Sequence, residues 1–200
     1  MIRVDADQTD ALTELVNIAF GLTAAKLSEI TGQRVQMVPP ALTIQPISSI
    51  SGTLGSFFRG PFTSVSQDFT SSVSGTAVLL LNSADARSLC RLLAQQDCFT
   101  DEVLIEVGNM MLSSCIGVLG NLFNTRVALS QPRLQRNTLE PLPPSIASDT
   151  GERQYAIVIG STFQMLQERL DGCLLMILGA SSLKRLIEAV TQWDDIQLSA

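Results

Sequence analysis

The feature that most constrains this chain is a pattern of polar residues that occurs twice. Each copy has a carboxylate, a glutamate four residues later, an asparagine three residues after that and a distant proline: Asp10, Glu14, Asn17 and Pro40 in the first copy, Glu102, Glu106, Asn109 and Pro132 in the second. Glu14 and Glu106 are 92 positions apart, as are Asn17 and Asn109. A constant offset at every position indicates an internal duplication.

The spacing within each copy is typical of one face of an α-helix. Residues three and four apart are neighbours on a helix surface, so the carboxylates and the amide of each copy would line one stripe. Apolar residues recur at helical period beside each stripe and are expected to be buried: Leu12, Leu15, Ala19 and Leu22 in the first copy, Leu104, Val107 and Met111 in the second. The pattern predicts two packed helices that each present acids and an amide to solvent.

Composition narrows the class of partner. Two hundred residues are enough for a substantial core, and 46% hydrophobic but only 5% aromatic residues predict an aliphatic one. The formal net charge is −6, and lysine and arginine do not cluster. This argues against binding to nucleic acid, which requires a basic surface, and against an anionic membrane surface. The expected partner is a protein or a small molecule.

No metal site or export signal is predicted. The four cysteines (Cys90, Cys98, Cys115 and Cys173) are scattered without a CxxC pair, and the sequence has no histidine, so the usual zinc arrangements are missing. Reduced, structural thiols are expected. Residues 1–7 carry charge and no long apolar run, unlike a signal peptide, and the longest apolar runs are far shorter than a membrane span. The protein is therefore expected in the cytoplasm.

The first copy of the duplicated unit is predicted to begin with the motif helix over residues 7–30. This helix should end at Thr31-Gly32, because glycine favours the chain reversal there. The remaining predicted elements are a strand (34–38) ended by two prolines, a connector rich in serine and glycine (41–61), a hairpin (63–70 and 73–81) and a helix (84–94).

The second copy is predicted to follow the same order. Its elements are the motif helix (101–123), a strand (126–129), a proline-rich loop (132–148), two strands (155–163 and 166–178) and a closing helix (181–193). Here Gly75 and Gly172 correspond at an offset of 97, so five extra residues are expected in the loop between the two strands.

These elements predict an α+β fold. The chain should form one domain, residues 1–200, from tandem pseudo-symmetric repeats of helix, strand, hairpin and helix at about 7–97 and 99–194. The strands of both repeats should share one sheet, with the two motif helices side by side and exposed on one face.

The duplicated motif resembles the signature of the CheC/CheX/FliY phosphatases of bacterial chemotaxis. That signature has Asp or Ser, then Glu, Asn and a distant Pro at the spacing of Asp10, Glu14, Asn17 and Pro40. Two copies on one chain resemble CheC more than the single-motif CheX. Three features depart from the pattern. In the second copy, Glu102 replaces Asp or Ser, and the helix continues with Met110-Met111 where small residues are common. In the first copy, Val16 replaces the glycine that is often found before the asparagine and is present in the second copy as Gly108.

The resemblance implies an enzyme that hydrolyses the aspartyl-phosphate of a CheY-like response regulator. In the family, the asparagine (here Asn17 and Asn109) orients the attacking water and the glutamate (here Glu14 and Glu106) pairs with a lysine of the regulator. Asp10, Glu102, Pro40 and Pro132 would support the site. This chain would bind no cofactor of its own, because the Mg²⁺ belongs to the regulator.

A second class of function is also consistent with these residues. The chain could be a signalling adaptor that binds a response regulator, or a CheD-like deamidase as relatives of CheC do, without hydrolysis. Acceleration of phosphate release distinguishes the enzyme from the adaptor.

Overall fold

The computed structural model describes residues 4–32, 34–37, 41–58, 60–93, 100–137, 154–165 and 168–198. Within these ranges the chain forms α-helices α1 (Ala6–Thr31), α2 (Ile50–Phe57), α3 (Ser83–Leu93), α4 (Thr100–Leu122) and α5 (Ala180–Leu198). The strands are β1 (Val35–Met37), β2 (Ala41–Pro46), β3 (Phe62–Thr70), β4 (Gly75–Asn82), β5 (Ala128–Leu129), β6 (Arg133–Asn137), β7 (Gln154–Met165) and β8 (Glu168–Gly179). The predicted α+β class is confirmed.

All strands belong to one antiparallel sheet with the order β1-β7-β8-β4-β3-β5, in which β2 also pairs with β7 and β6 also pairs with β3. The two repeats therefore share a sheet, as predicted. They also exchange their outer strands: β1 and β2 of the first repeat pair with β7 of the second, and β5 and β6 of the second pair with β3 of the first. No local pattern in the sequence predicted this exchange.

The centre of the sheet shows the pseudo-two-fold relation directly. Val78 of β4 pairs with Leu175 of β8, and these two residues are equivalent at the offset of 97 that relates Gly75 to Gly172. A residue that pairs with its own equivalent lies on the symmetry axis. Both side chains are fully buried, so the axis passes through the core.

The register also locates the five extra residues. Phe69 pairs with Gly75 in the first hairpin, and the equivalent Ser161 pairs with Gly172 in the second. Beyond this point the second hairpin continues through four more pairs, ending at Met165 and Glu168. The insertion therefore lies between β7 and β8, as predicted, but as an extension of the paired strands. β1 pairs with this extension.

The exchanged strands do not have the same register in the two halves. Ile44 of β2 pairs with Ile157, whereas the equivalent Arg136 of β6 pairs with Thr63, two residues from the equivalent of Ile157. A displacement of two residues preserves which face each side chain occupies. The surroundings of the two motif helices are therefore similar but not identical.

The sheet separates two apolar layers. Helices α1, α3, α4 and α5 contribute to the larger cluster, together with residues such as Leu79 and Ile157 on that face of the sheet. On the other face, α2 packs through Ile50 and Leu54 against Val78 and Leu175. The motif helices α1 and α4 contact each other, which confirms that they lie side by side.

Two segments that were predicted to be irregular contain regular structure. The predicted connector at 41–61 contains β2, a 3₁₀ turn (Ile47–Ser49) and α2, because Ile50 and Leu54, four residues apart, can be buried together despite their serine and glycine neighbours. The predicted loop at 132–148 contains β6 up to Asn137, and its remainder lies outside the described residues. Both missed strands are outer strands, where polar residues are tolerated.

Local sequence signals determine both ends of α1. Asp5 caps the helix in a reciprocal capping box with Gln8, and the helix ends at Gly32, whose φ of 63° is in the left-handed region that glycine favours. Leu22, predicted to be buried, is instead 50% exposed. Thr23 occupies the buried position and satisfies its hydroxyl by donating to the carbonyl of Ala19.

Helix α4 is unusually apolar. Among the described residues it is the one helix long and apolar enough to cross a membrane, yet 67% of its most apolar window is buried inside the protein. Its Cys115, like Cys173 on β8, is a buried free thiol. Burial raises the pKa of Cys115 and of Cys173 to about 12, so both thiols stay protonated at neutral pH.

The position of the core at the symmetry axis can be tested by comparing the stability of two leucine variants. Leu175→Ala would leave a cavity between the sheet and α2, and should lower the free energy of unfolding by about 2–5 kcal/mol. Leu129→Ala removes the same atoms from a side chain that is 37% exposed, and should change stability by less than about 1 kcal/mol. Urea denaturation measures both variants, and equal losses would contradict this position of the core.

Candidate functional site

Both copies of the motif lie at the protein surface on α1 and α4. The carboxylates of Asp10, Glu14, Glu102 and Glu106 are exposed, while Asn17 and Asn109 are half-buried. None of the four carboxylates forms a salt bridge within the described part of the chain. Four acids without internal partners give this face a negative charge that is available to a cationic partner.

The first acid of each copy lies at a different place in its helix. Glu102 is in the first turn of α4, where the macrodipole favours negative charge. Asp10 lies beyond the first turn of α1, in which the acid is Asp7. Stabilisation of the helix start therefore applies to Glu102 only, and the predicted supporting role of Asp10 stays a prediction.

The start of α4 is tied to the sheet. Arg136 of β6 donates to both carboxylate oxygens of Asp101, and this pairing lowers the pKa of Asp101. Asp101 therefore stays ionised, and the ion pair persists, to a lower pH than for an unpaired carboxyl. The contact fixes the end of α4 that carries Glu102 and Glu106 against an exchanged strand.

Of the two motif prolines, Pro40 lies outside the described residues. Pro132 is half-buried and directly precedes β6, at a position where proline does not disturb the strand pairing. Ser130, two residues earlier, makes backbone and side-chain hydrogen bonds with Asp68 of β3. The segment before β6 is thereby held beside α4.

Asn109 is fixed by Gln67, a residue that was not predicted to belong to the site. The Nε2 of Gln67, on β3, donates to Asn109 Oδ1 at 3.1 Å and to the carbonyl of Ser130 at 3.0 Å. Gln67 is only 2% exposed. The signal was present in the sequence, because Gln67 is a polar residue between Val65 and Phe69 at a position where a strand should face the core.

Gly108 brings α4 close enough for this contact. A Cβ added at Gly108 would lie 2.5 Å from Cγ1 of Val65 on β3, closer than real Cβ atoms approach other atoms. Only glycine therefore permits this separation between α4 and the strand. Because Gly108 has no side chain, α4 lies close enough to β3 for the amide of Asn109 to reach Gln67.

The first copy has different surroundings. Asn17 makes no side-chain hydrogen bond within the described part of the chain. The residue before it is Val16, whose side chain is buried, whereas α4 has Gly108 at the equivalent position. Along the same face, Ile18 is 41% and Leu22 is 50% exposed. The equivalent residues of α4, Met110 and Ser114, are buried. The stripe on α1 is therefore the more open and the more apolar of the two.

The second copy instead borders a pocket. A pocket of about 250 Å³ opens beside α4, and it is lined by Leu27, Leu93, Glu102, Val103, Glu106, Val107 and Met110. Most of the described lining residues are apolar, and the two polar ones among them are the acids of the motif. The acidic stripe of α4 thus forms the rim of an apolar depression.

The chemistry available at these sites is limited. Each copy offers a neutral carboxamide and acids that can attract a cation, and the described residues of neither copy include a nucleophile paired with a base. The described residues contain no group of three or more histidine, cysteine, aspartate or glutamate residues that could hold a metal ion. Such a site can position a water molecule and bind a positively charged group, and it can do this for a partner that brings its own reactive bond.

Comparison with known proteins agrees with this picture. Residues 8–44, which contain the whole first copy of the motif, match the sequence model of the CheC-like family. The flagellar motor switch phosphatase FliY of Bacillus subtilis is 28% identical over 137 residues, which cover 64% of this chain and 35% of FliY. The resemblance predicted from the motif is confirmed, and the chain spans about a third of the length of that relative.

Three solved structures share the fold. FliY of Thermotoga maritima has a TM-score of 0.76 at 18% identity, covering 96% of this chain and 99% of that one. A complex of FliG and FliM from H. pylori gives 0.66 at 11% identity (92% and 100%). A complex of CheX with CheY, BeF3 and Mg²⁺ from Borrelia burgdorferi gives 0.50 at 15% identity (82% and 97%). The predicted CheC-like fold is thus confirmed.

The close approach of α4 to β3 can be tested with two glycines of the same helix. Gly108→Ala should lower the free energy of unfolding by about 1–3 kcal/mol, because the new methyl group overlaps Val65. Gly117→Ala meets nothing within 4 Å and should stabilise the helix by up to about 1 kcal/mol. Thermal denaturation compares the two, and a neutral Gly108→Ala would mean that α4 does not lie this close to the sheet.

Proposed function

We propose that this chain, which resembles the CheC-like family in sequence and the FliY and CheX structures in fold, is a phosphatase acting on the aspartyl-phosphate of a CheY-like response regulator. The observation that carries the proposal is the exposure of two acid-and-amide stripes on adjacent helices, whose acids have no salt-bridge partner among the described residues. The regulator resides in the cytoplasm, so the proposal places this protein there.

The reaction needs little more than positioning. An aspartyl-phosphate is an acyl phosphate and is already labile, so in-line attack by water is limited by alignment and charge. A carboxamide can donate to and accept from a water molecule without adding negative charge beside the phosphoryl group. A carboxylate in the same place would repel that group. Asn17 and Asn109 are therefore the proposed catalytic residues.

In this proposal the glutamates bind the regulator through an ion pair. Glu14 and Glu106 lie three residues before the asparagines and share their helix face, so a lysine of the regulator that pairs with the glutamate would bring the amide to the phosphoryl group. In this proposal the regulator holds the Mg²⁺. A hundredfold acceleration requires only about 2.7 kcal/mol of transition-state stabilisation, which one well-held water molecule can supply.

The solved CheX complex supports the choice of partner. CheX shares this fold and is bound there to CheY together with BeF3 and Mg²⁺. On the present chain, the exposed apolar side chains of Ile18 and Leu22 continue the stripe of Glu14 and offer contact area to a docked protein. A CheD-like deamidase remains a prediction from the family resemblance.

The amides are tested by removing both. Asn17→Ala combined with Asn109→Ala should reduce phosphate release from a phosphorylated CheY-like regulator to the rate of the regulator alone, because no group is left to orient the water. Asn121→Ala removes an exposed amide of α4 outside the stripe and should leave the rate unchanged. A correctly folded double variant that retains the acceleration would contradict the mechanism.

The glutamates should affect binding more than chemistry. Glu14→Gln combined with Glu106→Gln removes the charge but keeps the size, and should raise KM about tenfold, equivalent to about 1.4 kcal/mol, with a smaller effect on kcat. The activity of the variant should also depend less on salt. Glu29→Gln, at an exposed position elsewhere on α1, is the matched control. A pure loss of kcat at constant KM would assign the glutamates to another role.

An adaptor without hydrolysis is the alternative. It is favoured by the FliG–FliM complex, in which a protein of this fold takes part in a protein assembly. Binding of the regulator that persists in the double asparagine variant, with no acceleration by the wild-type chain, would support the adaptor and exclude the phosphatase.

A further inference from the structure

Gln67 is a buried polar residue with an unusual set of contacts. It lies on β3 opposite Ala77 of β4, between the positions where β6 and β5 pair with the strand. Its Nε2 reaches both the carbonyl oxygen of Ser130 and Oδ1 of Asn109, while its own Oε1 is buried and accepts no hydrogen bond from the described residues. The amide of Gln67 therefore acts only as a donor here.

These contacts determine which way the amide of Asn109 faces. The Ser130 carbonyl can only accept, so the nitrogen of Gln67, rather than its oxygen, must face that group. With this nitrogen in place, Asn109 must present its oxygen to Gln67, because the opposite orientation would set two N–H groups against each other. The Nδ2 of Asn109 is consequently directed away from Gln67.

The first site has no equivalent of this contact. The offset of 92 that relates β3 to β7 makes Ile159 the counterpart of Gln67, and Ile159 is a fully buried apolar residue. An isoleucine cannot hold an amide, and Asn17 makes no side-chain hydrogen bond within the described residues. The two sites share their motif but differ in the residue beneath the asparagine.

We propose that Gln67 is a positioning residue that holds Asn109 in a single orientation, with Oδ1 bound to the sheet and Nδ2 presented to the partner. The second site then carries a preorganised hydrogen-bond donor, whereas the amide of Asn17 remains free to rotate and to offer either group. The catalytic consequence rests on the proposed phosphatase function. The orientation itself does not depend on it.

The catalytic test isolates each site. In the Asn17→Ala background, where only the second site is intact, Gln67→Met keeps the length of the side chain but removes the donor, and should lower kcat at least threefold with KM unchanged. In the Asn109→Ala background the same substitution should have no effect on kcat. Gln45→Met, which removes a glutamine paired with Thr53 on the other face of the sheet, should be silent in both. Equal losses in the two backgrounds would show a general structural effect and overturn the proposal.

A second measurement is independent of activity. In ¹⁵N-labelled wild-type protein, the side-chain NH₂ of Asn109 should show restricted motion and that of Asn17 should not. Gln67→Met, or Gln67→Ile, which introduces the residue found at the first site, should abolish this difference while leaving the backbone spectrum of α4 in place. If the two amides are equally mobile in the wild type, the proposal is wrong. If Asn109 alone is ordered but the protein releases no phosphate, the positioning is supported and the proposed enzyme function fails.

Discussion

The exchange of outer strands between the two repeats is the constraint on which the candidate site depends. Because β6 pairs with β3, and β2 with β7, each repeat completes the sheet of the other. The central pairing of Val78 with Leu175 then places α1 and α4 next to each other on one face. The position of two acid-and-amide stripes on adjacent helices is thus a property of the whole sheet rather than of either helix.

The sequence predicted most of this arrangement because its signals were periodic. The motif helices have apolar residues at helical spacing, Gly32 ends α1 in the left-handed conformation, and the continuous apolar runs of β4 and β8 indicate buried central strands. The outer strands were not predicted, since β6 contains two arginines and a glutamine, and its stability comes from pairing with β3. Which strands pair is decided by contacts between distant parts of the chain, and no local pattern records it.

In the candidate sites, too, the residues with a repeated spacing were predicted, and the residue whose role depends on a contact between distant parts of the chain was not. Spacing alone identified Glu14, Asn17, Glu106 and Asn109, and the structure places all four at the surface. Gln67 was missed because its role follows from the separation of α4 and β3, which Gly108 allows. The departure noted in the sequence, Val16 in place of glycine, has a physical meaning beside this contact: α1 carries a buried side chain at the position where α4 has only the hydrogen of Gly108.

The strand exchange also bears on how the chain acquires its structure during synthesis. Ala41 pairs with Gly160 and Phe62 with Asn137, so β2 emerges from the ribosome long before β7, and β3, which can pair early with β4, emerges long before β6. Until then both strands have unpaired edges, which favour association with other chains. Contacts between such distant residues also slow folding, because long loops must close first. During synthesis, a chain of this kind therefore has a long interval in which molecular chaperones can bind its unpaired strands.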